Sequence, residues 1–451
     1  MTKKRVLTSM LLILAASLAF ANGQQESSAK AGSKKDSKIS FMWWGNESRN
    51  LATIKAAEDF MADNPDVKVE NMPNPFDGYH DKIIVQLANG TAADLMCYST
   101  EWMTEVGFEP NPALLDLNMV KDLIDTSGID AGILSGGSAN GKLLGIPTAI
   151  SGVTISSYDN AMDAYIKKTG APALPTAGDK WTFDDFIAYG KNFHEAMGPD
   201  CYFLDFGGDY SGLNNSFCWA LSEIGNGPYL DSKCNVNFTE EDLKKTYELF
   251  LEMSKTGVMA PGTKQVEILS GVSTRDADLA AGKYALVLHW TSNIQENSKK
   301  SKSEMSVVAY PQLGRPENDG VFTRPAQFWA INAKSKDKEA AARLLNYIMN
   351  DPKAIMDLKL ERGVPATQIG RDTLAKEGIL SGTISDATDY LVKSADAGYN
   401  WFIRVPLVLT AIDESYVNVI LGKISPAEAA KTAYAQIQKI TKELREDNKI
   451  N

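Results

Sequence analysis

Histidine and cysteine are scarce in this 451-residue sequence. The three histidines, His80, His194 and His289, lie far apart, and the four cysteines match no metal-binding spacing. None of the histidines adjoins a serine or cysteine motif of the kind that nucleophilic enzymes use. The sequence therefore predicts no metal, no cofactor and no catalytic residue.

Positive charge is also in short supply. The formal net charge is −11 at pH 7, and no cluster of Lys and Arg occurs beyond the N-terminus, so the phosphates of a nucleic acid would be repelled. The glycines at Gly45 and within residues 135–138 lack the spacing of a phosphate-binding loop. We therefore exclude nucleic acid as a partner and expect a small ligand, more readily neutral or cationic.

No apolar run is long enough to cross a bilayer. Residues 10–20 form an apolar run that is shorter than the roughly 20 residues needed for a spanning helix. The run follows three basic residues and ends at the small residues Ala19 and Ala21, a pattern typical of a secretory signal peptide over residues 1–21. No cysteine lies near the processing point to carry a lipid anchor, so we expect a protein that diffuses freely in the periplasm.

The composition changes after the signal peptide. Residues 22–37 are small or polar and carry no large apolar side chain, so they are predicted to be a disordered tether. The rest of the chain exceeds the size of one usual core, and 44% of the sequence is hydrophobic, which predicts two domains. Cys201, Cys218 and Cys234 could pair in an oxidising compartment, and buried thiols are an equal alternative.

Apolar strand patterns and helical patterns alternate along the first third of the chain. Strands are predicted at residues 39–44, 67–70 and 93–98, with helices at 51–64 and 79–89 between them. Such βα units predict a parallel sheet, whose ligands bind beyond the carboxyl ends of the strands. The periodicity predicts further strands at 153–158, 284–288, 305–309 and 328–331, and further helices at 182–186 onward, 216–224, 239–256, 275–282, 337–350 and 352–362.

Several motifs, in order along most of the chain, resemble one family. They are residues 87–95 (LANGTAADL), 141–147 (GKLLGIP), 181–186 (WTFDDF), 279–286 (LAAGKYAL), 336–341 (KDKEAA) and 421–430 (LGKISPAEAA). Together they are similar to the extracellular solute-binding proteins of carbohydrate ABC importers, of the maltose-binding type.

This resemblance implies an α/β, two-lobe periplasmic binding protein fold with a hinge between discontinuous domains. The first lobe would take residues 38–149 and 322–350, and the second 150–321 and 351–451. The implied function is capture of a carbohydrate, an oligosaccharide, in the cleft between the lobes. A monomer would then deliver it to the membrane permease subunits of an ABC importer.

A sugar offers apolar C–H faces and a rim of hydroxyls, so its site needs flat aromatic rings together with planar hydrogen-bonding groups. Tryptophan is also a common core residue, and strand alternation points only one of Trp43 and Trp44 into the cleft. Arg324 could clamp a carboxylate, which would favour a uronate. The candidate ligand-binding residues are Trp43, Trp44, Asn46, Glu47, Tyr98, Glu101, Trp102, Asp209, Tyr210, Trp290, Arg324, Gln327, Trp329, Trp401 and Arg404.

Two other functions remain open at this point. An exported glycoside hydrolase would use similar aromatics and would add two carboxylates roughly 5 to 10 Å apart across the cleft. A binding protein for a polyamine or a peptide would combine acidic with aromatic side chains. Its cleft would exclude Arg324 and Arg404, because their positive charge would repel a cationic ligand.

Overall fold

The computed structural model describes residues 36–99, 102–103, 113–139, 141–176, 178–225, 227–231, 233–271, 274–312, 322–325, 327–394, 402 and 405–447, with the backbone alone for 322–325 and Ser394. The predicted signal peptide and nearly all of the predicted tether lie outside these residues. So do the candidate residues Glu101, Trp401 and Arg404, and the side chain of Arg324.

A mixed sheet forms in the first part of the chain. Its strand order is β2-β1-β3-β12-β6, in which β1 pairs in parallel with β2 and β3, and β12 is antiparallel to its neighbours. The predicted parallel βα units are thereby confirmed. The strands are β1 (Ser37–Trp44), β2 (Val67–Asn74), β3 (Leu95–Tyr98), β6 (Ile146–Pro147) and β12 (Phe328–Ile331).

A second sheet forms separately, in the order β10-β7-β9-β8, and β11 and β13 also pair with β7. A short hairpin of β4 and β5 precedes it. The strands are β4 (Ser138–Ala139), β5 (Lys142–Leu143), β7 (Ala149–Tyr158), β8 (Tyr202–Asp205), β9 (Tyr284–Trp290), β10 (Met305–Val308), β11 (Phe322–Pro325) and β13 (Val364–Pro365).

Helices pack against both sheets, and the described residues include 3-10 segments at Leu117–Leu123 and Thr291–Asn293. They are α1 (Glu47–Asp63), α2 (Tyr79–Asn89), α3 (Ala131–Ser135), α4 (Asp159–Thr169), α5 (Phe183–Met197), α6 (Tyr210–Ile224), α7 (Glu240–Lys255), α8 (Gly262–Leu269), α9 (Arg275–Ala280), α10 (Ile294–Ser301), α11 (Lys338–Asn350), α12 (Pro352–Leu358), α13 (Gln368–Lys376), α14 (Thr383–Ser394), α15 (Pro406–Ile420) and α16 (Pro426–Asp447).

Local signals in the sequence explain where several helices begin and end. α5 starts with a capping box, in which Thr182 and Asp185 each accept from the other's backbone N–H. α2 ends at Gly90, whose φ of 70° is the left-handed conformation that glycine adopts readily. The helix predicted at 352–362 is shorter than expected, because Lys359 has a φ of 46° and stops it at Leu358.

Two large hydrophobic cores accompany the two sheets. The first contains Phe41, Phe60 and Ile331, and the second contains Phe203, Phe217 and Leu286. Ala354 and Leu358 pack into the first core, although they follow the boundary that the sequence placed at residue 350. The division into two lobes at the stated residues stays a prediction.

The cysteines in the described part of the chain form no disulfide, which was one of the two alternatives that the sequence left open. Cys97, Cys201 and Cys234 carry thiols. Cys97 and Cys234 are buried, so the alternative of buried thiols holds for them. Burial also raises the pKa of Cys234 to about 11, which keeps this thiol protonated at neutral pH.

The strand β7 passes from the edge of the first sheet into the second. Pro147, at the end of β6, pairs with Phe328, which pairs with Tyr98 at the carboxyl end of β3. Further along, Val153 pairs with Trp290 at the carboxyl end of β9. Val153 follows Pro147 by six residues, and this stretch spans at most about 20 Å when extended. The carboxyl ends of β3 and β9 therefore lie beside the same short stretch of chain.

A buried polar network lies behind Trp290. His289 is 1% exposed; its Nε2 lies 3.1 Å from Ser156 Oγ, and its Nδ1 lies 2.8 Å from Asn297 Nδ2. The amide oxygen of Asn297 faces Arg275, which forms an ion pair with Asp205. With the Asn297 amide so oriented, the neutral imidazole carries its proton on Nε2, and a second proton on Nδ1 would face an N–H group.

We predict that His289 makes the protein acid-sensitive. Burial, followed by the nearby charge of Arg275, lowers the pKa of His289 from 6.5 to about 3. The unfolded chain gains a proton below about pH 6.5 and the folded chain does not, so the free energy of unfolding falls by up to about 1.4 kcal/mol per pH unit between these values.

The variant His289→Gln should remove this component of the pH dependence. We expect its free energy of unfolding, measured by chemical denaturation, to fall less steeply than that of the parent between about pH 6 and pH 4. The difference at pH 8, where the histidine is neutral in both states, measures the structural cost of the substitution. An unchanged slope would refute the assignment of a neutral buried imidazole.

Candidate functional site

An aromatic cluster lies at the carboxyl ends of β1, β2 and β3. The Trp44 ring centroid is 5.3 Å from that of Trp102 and 5.8 Å from that of Phe76, and Phe76 stacks on Trp102 at 6.4 Å. Tyr79 and Tyr98 pack against the same rings, at 5.1 Å from Trp44 and 5.5 Å from Trp102. This is the sheet edge at which a ligand is expected in an open α/β fold.

Hydrogen bonds to the backbone hold the tyrosines of this cluster in place. The Tyr79 hydroxyl donates to the Cys97 carbonyl at 2.9 Å, and the Tyr98 hydroxyl donates to the Trp102 carbonyl at 2.9 Å. Burial raises the pKa of Tyr79 well above its usual value, so it stays a neutral donor. Phe76, by contrast, is 60% exposed, and it offers an apolar ring at the surface of the cluster.

Strand alternation separates the two adjacent tryptophans as expected. Trp43 is fully buried in the first core, and its Nε1 donates to Asn50 Oδ1 at 2.9 Å. Trp44 also belongs to this core, at 7% exposed, and packs against the aromatic cluster. Beyond it Asn46 caps α1 by accepting from the Arg49 N–H, and Asn46 and Glu47 are both exposed.

The second sheet brings another candidate group together. β8 is parallel to β9, so the loop after β8 and the end of β9 lie side by side. Trp290 ends β9, and its Nε1 donates to Ser211 Oγ at 3.0 Å in the first turn of α6. Tyr210, at the start of α6, is 43% exposed. Asp209 accepts from the Gly212 N–H as the helix cap, which is a structural role for this carboxylate.

An open pocket of about 660 Å³ lies beside Tyr210. Its other described lining residues come from α15 and include Thr410, Asp413 and Glu414. Asn214 on α6 donates to Asp413 at 3.2 Å, which ties the two helices together. The size suits a small ligand, and the exposed side chains combine an aromatic ring with hydroxyl and carboxylate groups.

Two predicted residues lie away from these clusters. Trp329 is 1% exposed, and the guanidinium of Arg362 covers its ring at 4.6 Å. Gln327 is buried, and its Oε1 accepts from Arg362 at 2.9 Å and from the Cys97 thiol at 3.0 Å. Both side chains fill the interior beneath the first sheet edge, so they belong to neither of the two aromatic groups at the strand ends.

Sequence reasoning missed Phe76 and the α15 residues. The predicted second strand stopped at residue 70, whereas β2 continues to Asn74, which pairs with Trp44. A strand extended by four residues would have placed Phe76 directly beyond a carboxyl end. Asp413 and Glu414 carry no local signal, because only the packing of α15 on α6 brings them near Tyr210.

The described residues contain neither a membrane-spanning helix nor a cluster of metal ligands. None of the helices among them is both long and apolar enough to span a membrane. Across the same residues, no group of three or more His, Cys, Asp and Glu is arranged to hold a metal ion.

Solved structures with the same fold cover nearly the whole chain. A periplasmic oligogalacturonide-binding protein from Yersinia enterocolitica is 22% identical, with 90% of this chain and 99% of that chain covered and a TM-score of 0.77. A periplasmic solute-binding protein from Pectobacterium atrosepticum is 19% identical, with the same coverage and TM-score. A de novo designed esterase is 22% identical over 91% of this chain and 99% of that chain, with a TM-score of 0.80.

These similarities establish the α/β fold of periplasmic solute-binding proteins, with sheets in separate parts of the chain. The esterase is a product of design, so its reaction does not extend to a natural chain of this fold. A family model also matches residues 55–368, described as bacterial extracellular solute-binding protein. This match includes more than half of the sequence, and the chain therefore belongs to the family of bacterial extracellular solute-binding proteins.

Proposed function

We propose that this protein captures a carbohydrate, an oligosaccharide, in a cleft between two lobes and delivers it to an ABC-type importer. The observation that carries the proposal is the pair of aromatic groups at sheet ends that β7 connects. Trp44, Phe76 and Trp102 form one group, and Tyr210 and Trp290 form the other. A sugar with several rings needs apolar platforms at more than one position, and both groups supply them.

The polar groups beside these rings suit hydroxyl recognition. Asn46 and Glu47 are exposed next to the first group, and Thr410, Asp413 and Glu414 line the pocket beside Tyr210. Amide and carboxylate side chains exchange several hydrogen bonds with vicinal hydroxyls, while the aromatic faces cover the C–H surface of the sugar.

The proposed mechanism is closure of the lobes around the ligand. The first lobe binds the sugar through Trp44, Phe76 and Trp102. The second lobe then closes and brings Trp290 against the sugar, and the permease recognises this closed form. Because Ala354 and Leu358 pack in the first core, we move the boundary of the first lobe beyond α12. The protein acts as a monomer in the periplasm, after export through the signal peptide at residues 1–21.

The ligand could be neutral or acidic, and the described lining favours a neutral one. Asp413 and Glu414 line the pocket beside Tyr210 and would repel the carboxylate of a uronate. The oligogalacturonide-binding protein from Yersinia enterocolitica, in contrast, has been solved with saturated digalacturonic acid, which is an acidic sugar. If Arg324 and Arg404 line the cleft, they would reverse this preference. A polyamine is the second candidate, since the same two carboxylates beside Tyr210 would attract it.

A ligand screen tests the proposal. We would measure the melting temperature of the purified protein with neutral oligosaccharides, oligogalacturonides, polyamines and peptides, because a ligand of the native state raises it. We expect a neutral oligosaccharide to raise the melting temperature without being cleaved. Stabilisation by polyamines or peptides alone would reject the carbohydrate, and release of shorter sugars would instead indicate a glycoside hydrolase.

We predict that Trp290→Ala weakens binding of the stabilising sugar without unfolding the protein. Loss of one stacking face should raise the dissociation constant by about tenfold or more, measured by isothermal titration calorimetry. Trp181→Ala is the matched control, because Trp181 and Trp290 are equally buried, at 8% exposed, and both pack in the second core. Equal affinity in the parent and Trp290→Ala would remove Trp290 from the site.

Phe76→Ala separates binding from stability more cleanly. The ring is 60% exposed, so its removal should change the free energy of unfolding by less than about 0.5 kcal/mol. We nevertheless expect weaker sugar binding, because the ring extends the stacking surface of Trp102. Val85→Ala, at a 57% exposed position on α2, should alter neither quantity. An unchanged affinity of Phe76→Ala would place the ligand elsewhere.

A further inference from the structure

A small cavity lies where β7 leaves the first sheet. Its volume is about 30 Å³, and its described lining includes Thr148, Trp329, Lys359 and Arg362. Thr148 occupies the step between β6 and β7, and its backbone bonds to Gln327 and Ala366. The volume exceeds the roughly 10–15 Å³ that a single water-sized occupant requires.

Two residues of this lining each carry a buried polar atom that has no hydrogen-bond partner. The Nε of Arg362 and the Oγ1 of Thr148 are both unpartnered, although the residues are only 5% and 7% exposed. Burial without a partner costs about 1–3 kcal/mol for a neutral group and more for a charged one. The lining therefore calls for an occupant that accepts hydrogen bonds from both.

The charge of Arg362 also has no counter-ion among the described residues. Its other nitrogens donate to neutral acceptors, Gln327 Oε1 at 2.9 Å and Thr53 Oγ1 at 3.0 Å. The adjacent carboxylate, Glu361, accepts from Ser48 instead. Burial raises the pKa of the neighbouring Cys97 thiol to about 12, so this group is not a thiolate at neutral pH.

Burial lowers the pKa of the Arg362 guanidinium to about 10, which still leaves it cationic at neutral pH. The exposed residue Lys359 also contributes to the lining, and no carboxylate occurs among the described lining residues. A water molecule would satisfy the hydrogen bonds and leave the charge uncompensated. A phosphate or sulfate is too large for a cavity of this size.

We propose that this cavity binds one chloride ion, held by the Arg362 Nε–H and the Thr148 hydroxyl beside Lys359. The ion neutralises the guanidinium and accepts from both unpartnered donors. Thr148 lies between β6 and β7, and Arg362 also contacts α1 and β12. The ion therefore links the start of β7 to the first sheet. This site does not depend on the identity of the transported solute.

Crystals grown with bromide as the sole halide test the site directly. We expect an anomalous bromide peak in the cavity between Arg362 and Thr148, within hydrogen-bonding distance of both. A water molecule there, with bromide found only at surface positions or not at all, would overturn the proposal.

Halide titrations test the two donors in solution. When gluconate is exchanged for chloride at constant ionic strength, the melting temperature of the parent should rise and then saturate. Thr148→Val removes one donor and should weaken the apparent chloride affinity by about tenfold or more. Thr154→Val is the matched control, because the Thr154 hydroxyl is equally buried and unpartnered but lies outside the lining.

The control variant should respond to chloride as the parent does. A parent protein whose melting temperature is indifferent to chloride would refute the site, and so would an equal response of Thr148→Val and the parent.

Discussion

The strand β7 connects the two sheets and is buried along its whole length of ten residues. It begins two residues after the end of β6, the edge strand of the first sheet, and pairs with β9, β10, β11 and β13. Each of these pairings fixes the register of another segment relative to one strand, and a shift by one residue would turn every side chain to the opposite face. The position of Trp290 relative to the first aromatic cluster therefore depends on how β7 connects the two sheets.

Among the described residues, Arg275 and Arg362 have buried guanidinium groups, which the protein stabilises in different ways. Arg275 forms an ion pair with Asp205, whose other contacts are the Tyr158 hydroxyl and the Gly207 N–H. This carboxylate neutralises the charge and also orders the loop that leads to Tyr210. Arg362 instead has neutral acceptors and the face of Trp329, which stabilise the donors without removing the charge.

Local features of the sequence predicted much of the fold. The predicted limits of α2 and of the strand at Phe328–Ile331 agree with the structure, because neighbouring residues determine helix caps and short apolar runs. The length of β2 depends on its pairing with β1, so its last residues and Phe76 were missed. The Arg362 cavity joins residues more than two hundred positions apart, and no sequence spacing signals such a contact.

The candidate site also shows why the aromatic types could be predicted better than their roles. Tyr98 bonds to the Trp102 carbonyl and Trp290 bonds to Ser211, so the polar atoms of these rings are already satisfied by the protein. Their flat faces are then held in fixed orientations, which lowers the entropy lost when a ligand stacks on them. The same residue types with the same satisfied polar atoms occur in the core, as Trp43 demonstrates. Trp290 and Trp181 are equally buried, at 8% exposed, so position at a strand end distinguishes the proposed binding ring from the packing ring, and this position arises from the tertiary structure.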